Sequence, residues 1–154
     1  MIDYELMNKQ LSALVDGCEN RTGMLANAAA LLKEATGWFW VGFYMVHGDE
    51  LWLGPFQGPV ACYRIGYGKG VCGTAWQQRK AIVVPDVEEF PGHIACSSLS
   101  RSEIVVPIFC GGEVAGVLDI DSTEVGTFTD DDRKGLEGFC EILAGALANG
   151  GGTQ

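Results

Sequence analysis

The sequence predicts an α+β fold, a central antiparallel sheet flanked by N- and C-terminal helices. Three observations carry that expectation. Long stretches with helical periodicity sit at the two ends of the 154-residue chain. Between them lie apolar, β-branched runs joined by short glycine-containing turns, HGDE at 47–50 and Gly111-Gly112. The steady alternation of strand and long helix that a parallel sheet needs is missing. The length suits a single domain spanning 1–154, large enough to bury a core without staples. Residues 146–154 read as a flexible tail.

Each element has its own signal. Residues 3–16 and 22–35 read as helices; Leu25, Ala28 and Leu32 recur at helical spacing, and Gly37 lies just past the second. WFWVGFYMV (38–46) is an aromatic, β-branched strand, and LWLGPF (51–56) pairs back on it through HGDE. Pro59 opens a further strand, VACYRI (60–65). A glycine-rich turn beginning GYGKG leads into a short helix, and AIVV (81–84) is a brief strand. The connection 85–101 is long for a compact domain, and such loops usually carry function. SEIVVPIFC (102–110) and EVAGVLDID (113–121) form a hairpin about Gly111-Gly112. In the last helix Thr129 and Asp132 resemble a capping box, and Leu136, Phe139, Leu143 and Leu147 form its apolar stripe.

Composition narrows the function. Net charge is −10, from 10 Lys and Arg against 20 Asp and Glu. A field of that sign repels phosphate backbones and anionic lipid, so neither nucleic acid nor membrane is expected as a partner. The start MIDYELMNKQ lacks the basic and apolar regions of a signal peptide. The expected location is cytoplasmic.

Six cysteines, at 18, 62, 72, 96, 110 and 140, are many for a reducing compartment, where disulfides are usually transient and catalytic or redox-sensing. There is no Cys-x-x-Cys, and His93-x-x-Cys96 has no second tight pair to complete a tetrahedral metal site. No metal and no cofactor are expected. Cys18, Cys110 and Cys140 fit small buried hydrophobes. Cys62, Cys72 and Cys96 each lie by a glycine, a turn or a polar loop. Cys96, with His93 and Arg101 close in sequence, is the best candidate nucleophile.

Gly68-x-Gly70-x-x-Gly73 matches a dinucleotide-binding string, but that fingerprint belongs to a βαβ unit, and hairpins surround it here. It reads instead as a tight turn whose backbone N–H groups face a pocket. Asp119 and Asp121 are two apart and share one side of their strand, next to the strand bearing Glu103. Three such acids suit an ammonium ligand, or one can stay protonated and act as an acid; a solvated polar edge is the plainer alternative. Trp38, Trp40 and Tyr44 alternate and share a face, in a core or a ligand wall.

GPFQGPVACYRI, GKGVCGTA, FPGHIACSS, SEIVVPI and GVLDIDS, in that order, resemble the free methionine-(R)-sulfoxide reductases, a family of stand-alone GAF domains. The similarity runs from about Trp38 to the final helix. It implies a GAF-like fold and a thiol-dependent reduction of free methionine (R)-sulfoxide. By that resemblance Cys96 is the nucleophile, Cys62 the resolving thiol, Cys72 an auxiliary thiol, and thioredoxin the reductant. Trp40 and Tyr44 would wall the methyl sulfide end. Glu103, Asp119 and Asp121 would hold the substrate and polarise its S–O bond. A homodimer through terminal helices is a family habit. The alternative function is a non-catalytic GAF sensor of a small ligand or of redox state.

Overall fold

The computed structural model describes residues 1–93 and 98–149. In chain order the elements are α1 (Tyr4–Val15), α2 (Arg21–Thr36), β1 (Trp40–His47), β2 (Glu50–Gln57), β3 (Arg64–Gly66), α3 (Gly70–Gln78), β4 (Ile82–Val84), a 3₁₀ turn (Val87–Glu89), β5 (Ser102–Cys110), β6 (Glu113–Ser122) and α4 (Asp130–Asn149). The strands form one sheet in the order β3-β2-β1-β6-β5-β4, and every pairing is antiparallel.

Because side chains alternate across a strand, the sheet separates two apolar clusters. Val41 and Phe43 of β1, Leu118 and Ile120 of β6, and Ile104, Val106 and Ile108 of β5 pack with buried residues of α1, α2 and α4. The opposite side carries Trp40, Tyr44, Val105 and Val117, packed with Val71, Cys72 and Ala75 of α3. The first cluster is the larger core, and the second borders the candidate site.

The helix ends are fixed locally. Asp3 accepts from the Leu6 amide and Asn20 from the Gly23 amide, each satisfying a donor that a helix leaves orphaned. Gly37, at φ 70°, ends α2 in the left-handed conformation that glycine adopts freely. The Thr129–Asp132 capping box forms as expected: the Thr129 amide donates to Asp132 Oδ2, and the Asp132 amide to Thr129 Oγ1.

Three expectations are corrected. Trp38 does not share a face with Trp40 and Tyr44; it precedes β1 and meets Phe128 edge-to-face with centroids 5.3 Å apart. Lys33 donates to the carbonyls of Trp38 and Phe39, tying this stretch to α2 before the strand begins. Of the expected strand 60–65 only its end pairs, as β3; upstream, Pro59 has no N–H to give a ladder, and Gly58 turns at φ 139°. Residues 146–149 belong to α4, because Leu147 is buried in the main core. Among the described residues no helix is long and apolar enough to cross a membrane.

Candidate active site

Paired residues in an antiparallel sheet project to the same side. Glu103 pairs with Asp121 and Val105 with Asp119; Trp40 pairs with Asp121, Gly42 with Asp119 and Tyr44 with Val117. The two strand periodicities therefore bring three carboxyls and two aromatic rings to one patch, on the central strands and beneath α3. Glu103 and Asp119 are each only 6% exposed, and Asp121 is partly exposed. The solvated-edge alternative is excluded by that burial.

Gly42 makes room for the rings. A Cβ there would lie 2.4 Å from Phe56 Cβ and 2.6 Å from Trp40 Cη2, so only a hydrogen lets the indole fold over the strand. The indole stacks with Phe56 at 5.2 Å and with Tyr44 at 6.0 Å. Both aromatics also reach the loop beyond β2. Trp40 Nε1 donates to the Pro59 carbonyl at 2.9 Å, and the Tyr44 hydroxyl to the Cys62 carbonyl at 2.8 Å. Thus the aromatic wall doubles as an anchor for the segment that carries Cys62.

The glycine string is the tight turn that aims α3 at this patch. A Cβ on Gly73 would meet the Gly66 carbonyl oxygen at 2.5 Å, so the close approach of helix and turn requires glycine. Lys69, at the N-cap position, makes no capping bond through its side chain. It lines a pocket of about 550 Å³, open space at its mouth included, together with Trp40, Tyr44, Cys72, His93 and the three acids.

Burial and mutual repulsion raise the proton affinity of every acid here. Burial pushes Glu103 up to about 8, helped by the Asp121 charge. Asp119 is held well above the usual carboxylate range by burial and by Glu103, and Asp121 by burial and by Asp119. Burial, then Asp119, raise the Cys72 thiol. Burial lowers the His93 imidazole, whose Nε2 lies 3.7 Å from Glu103 Oε1. Around neutral pH the site is therefore rich in protons and poor in charge.

Among the described residues Asp119 Oδ1 is buried without a hydrogen-bond partner of its own, although its carboxyl is close enough to Glu103 and Cys72 to perturb both. An orphaned buried acceptor asks for a cationic or donor ligand. Cys72, Glu103 and Asp119 offer ligating atoms within 4.8 Å of one another, a donor set that could hold a small cation. An ammonium group meets the same need.

The structure brings together Trp40, Tyr44, Cys72, Glu103, Asp119 and Asp121 in one pocket. Cys62 is disulfide-bonded, whereas Cys18, Cys72, Cys110 and Cys140 are free. Cys140 is buried and Cys18 and Cys110 are partly so, as small hydrophobes. Cys96 lies outside the described residues. Sequence reasoning does not place the side chains of Phe56, Lys69 and Ser100 at the site; the glycine string around Lys69 signals a pocket-facing backbone, and Phe56 and Ser100 carry no chemical signal of their own. The sequence offers His93 as a neighbour of Cys96 and as half of an incomplete metal-ligand pair; its contact with Glu103 needs the tertiary fold.

A profile of the GAF domain matches residues 20–147. The chain is 54% identical over 141 residues to GAF domain-containing protein A of Dictyostelium discoideum, covering 91% of this chain and 89% of that protein. It is 47% identical over 146 residues to free methionine-R-sulfoxide reductase of Escherichia coli, covering 94% and 88%. The solved free methionine-R-sulfoxide reductase of Neisseria meningitidis, in complex with its substrate, superposes with a TM-score of 0.92 at 51% identity, covering 94% of this chain and 87% of that one.

Proposed function

Because the chain belongs to the GAF domain family and, within it, to the free methionine-R-sulfoxide reductases, we propose that it reduces free L-methionine (R)-sulfoxide with its own thiols. The observation that carries this reading is the convergence of three proton-holding carboxyls, two of them buried, and an aromatic pair in one pocket beside the Cys62 segment. A sulfoxide oxygen leaves only once it is protonated, so the reaction needs an acid that keeps its proton at neutral pH. Glu103 and Asp121 are suited to that role. Asp119, with its orphaned oxygen, is suited to the substrate ammonium, and the Trp40 and Tyr44 rings to the methyl sulfide end. Lys69 and the start of α3 suit the substrate carboxylate.

In the proposed reaction the Cys96 thiolate attacks the sulfoxide sulfur while a carboxyl proton passes to the oxygen. From the sulfurane so formed, the S–O bond and the new S–S bond break as the hydroxyl passes to the Cys96 sulfur, releasing methionine and leaving a sulfenic acid on Cys96. Cys62 then attacks the Cys96 sulfur and the oxygen departs as water, leaving a Cys62–Cys96 disulfide. What supports Cys62 as resolver is its disulfide-bonded state, against a Cys72 thiol that burial holds protonated and so weakly nucleophilic. Two electrons from thioredoxin would return both cysteines to thiols, which fits a reducing cytoplasm.

The test is a single turnover. Reduced wild-type protein should release about one methionine per chain, and Cys96→Ser none, since a hydroxyl is a far weaker nucleophile. Cys62→Ser should complete the first turnover and fail with thioredoxin unless Cys72 substitutes. Full activity in Cys96→Ser would remove that residue from the reaction, and binding of the sulfoxide without release of methionine would make the protein a sensor.

A further inference from the structure

We infer that His93 is the relay through which protons pass between solvent and Glu103, an inference that rests on the proposed reductase reaction. A buried acid that gives its proton to a departing oxygen must regain one before the next cycle. The path back is narrow. Behind Glu103 the sheet is closed by the main core, and α3 covers the near side with Val71 and Cys72.

Among the described residues, the polar groups that line the pocket with Glu103 and His93 are Tyr44 on β1, Lys69 and Cys72 at the start of α3, Ser100 before β5, and Asp119 and Asp121 on β6. Tyr44 commits its proton to the Cys62 carbonyl. An ammonium group such as that of Lys69 has donors and no acceptor. Cys72 and Asp119 are buried themselves and can trade protons with Glu103 but not fetch them. Asp121 is partly exposed and pairs with Glu103 across the ladder, but burial and Asp119 raise its carboxyl in the same direction, so it competes with Glu103 for the returning proton.

His93 differs in position and chemistry. Its side chain is 15% exposed against 7% for Glu103, with Nε2 facing Glu103 Oε1 across 3.7 Å. It therefore spans from the pocket wall towards solvent. That separation is longer than a hydrogen bond, so the proposed transfer requires one intervening water or a shortening of the contact in the substrate complex, as catalytic contacts often show. A neutral imidazole carries one donor and one acceptor nitrogen, so it takes a proton on one side while yielding one on the other. Its main chain is fixed, the His93 amide donating to the Phe90 carbonyl at 3.2 Å.

The experiment compares wild type, His93→Gln, His93→Asn, Glu103→Gln and the His93→Gln/Glu103→Gln double variant. Turnover of the free (R)-sulfoxide is followed with saturating substrate and dithiothreitol. For both His93 variants we expect kcat to fall by about 10- to 100-fold with KM changed by no more than about threefold, at or below the lower end of the roughly 10²–10⁴-fold worth of a direct general acid or base, as suits a group acting through another. Added imidazole should restore part of that loss. In the Glu103→Gln background, loss of His93 should cost nothing further, because residues serving one step are not additive. Wild-type kcat in His93→Gln would overturn the relay. So would a loss that imidazole leaves untouched and that adds in full to Glu103→Gln, the pattern of a merely structural residue. Wild-type protein that released no methionine would overturn the reductase reading, and the relay with it.

Discussion

Glu103 is the residue on which the proposed chemistry turns, and its environment makes a prediction that needs no substrate. Burial beside Asp121 raises it from an ordinary 4.5 to about 8. Between those two values the folded protein holds a proton that the unfolded chain has lost. Stability falls with rising pH wherever the native state binds more protons, so the favourable contribution is fully present below the unfolded value and is lost as pH rises through the folded one. Asp119 and Asp121, raised in the same direction, steepen the trend. Glu103→Gln keeps the shape and cannot ionise; thermal unfolding at about pH 5 and about pH 8 should show a clearly smaller drop for this variant than for wild type. Equal drops would mean that Glu103 is ionised in the folded protein near neutrality, and it would then be unfit to donate a proton. Gly42 shows the same site from the side of space, since the indole of Trp40 lies where any larger residue would put its Cβ. The acids were legible in the sequence because two-residue spacing in a strand fixes a common side. Their burial was not, since it depends on α3 folding over them.

At the scale of elements, the hairpin of β5 and β6 sets the site and the outer helices hold the hairpin. Gly111 and Gly112, both at positive φ, form the turn that places Glu103 against Asp121. The turn signal and the strand periodicities were plain in the sequence. The expected strand 60–65 and the shared face of Trp38 were less secure, because each was read from residue type alone. Backbone partners decide such cases: Lys33 ties down the carbonyls after α2, and the 58–62 segment is anchored by Trp40 and Tyr44 rather than by a ladder. The docking of α1 on α4 gives an element-level prediction. The Tyr4 ring lies on Gly135, where a Cβ would sit 2.2 Å from Tyr4 Cγ, and its hydroxyl donates to Asp132 Oδ1 at 2.7 Å. The ring cannot retreat without giving up that bond. Gly135→Ala should therefore destabilise the fold by about 1–3 kcal/mol, the usual range for overpacking, in denaturant unfolding, with amide exchange in α1 speeded most. KM for the sulfoxide should stay within about twofold, because α1 and α4 lie across the sheet from the pocket; an unchanged stability would contradict the packing described.

Across the whole molecule the sheet separates duties, with the larger core and three helices on one side and the pocket under α3 on the other. That arrangement leaves the pocket side free to hold groups that weaken a fold: buried acids, an orphaned oxygen on Asp119 and a thiol kept protonated at Cys72. Each is a cost that a ligand with an ammonium group and a polar sulfur–oxygen bond would relieve. Selectivity follows from the same source, since a site built around a buried polar contact rejects analogues that lack it by up to about 10⁴–10⁵. The most direct measurement is methionine release by the reduced protein from the two resolved sulfoxide epimers of the free amino acid and from N-acetyl-methionine sulfoxide. Rapid release from the free (R) epimer, with the (S) epimer and the acetylated compound nearly inert, is the predicted result. Equal rates on the free and acetylated compounds, or on both epimers, would contradict it, for the carboxyls would then read neither the amino group nor the handedness at sulfur.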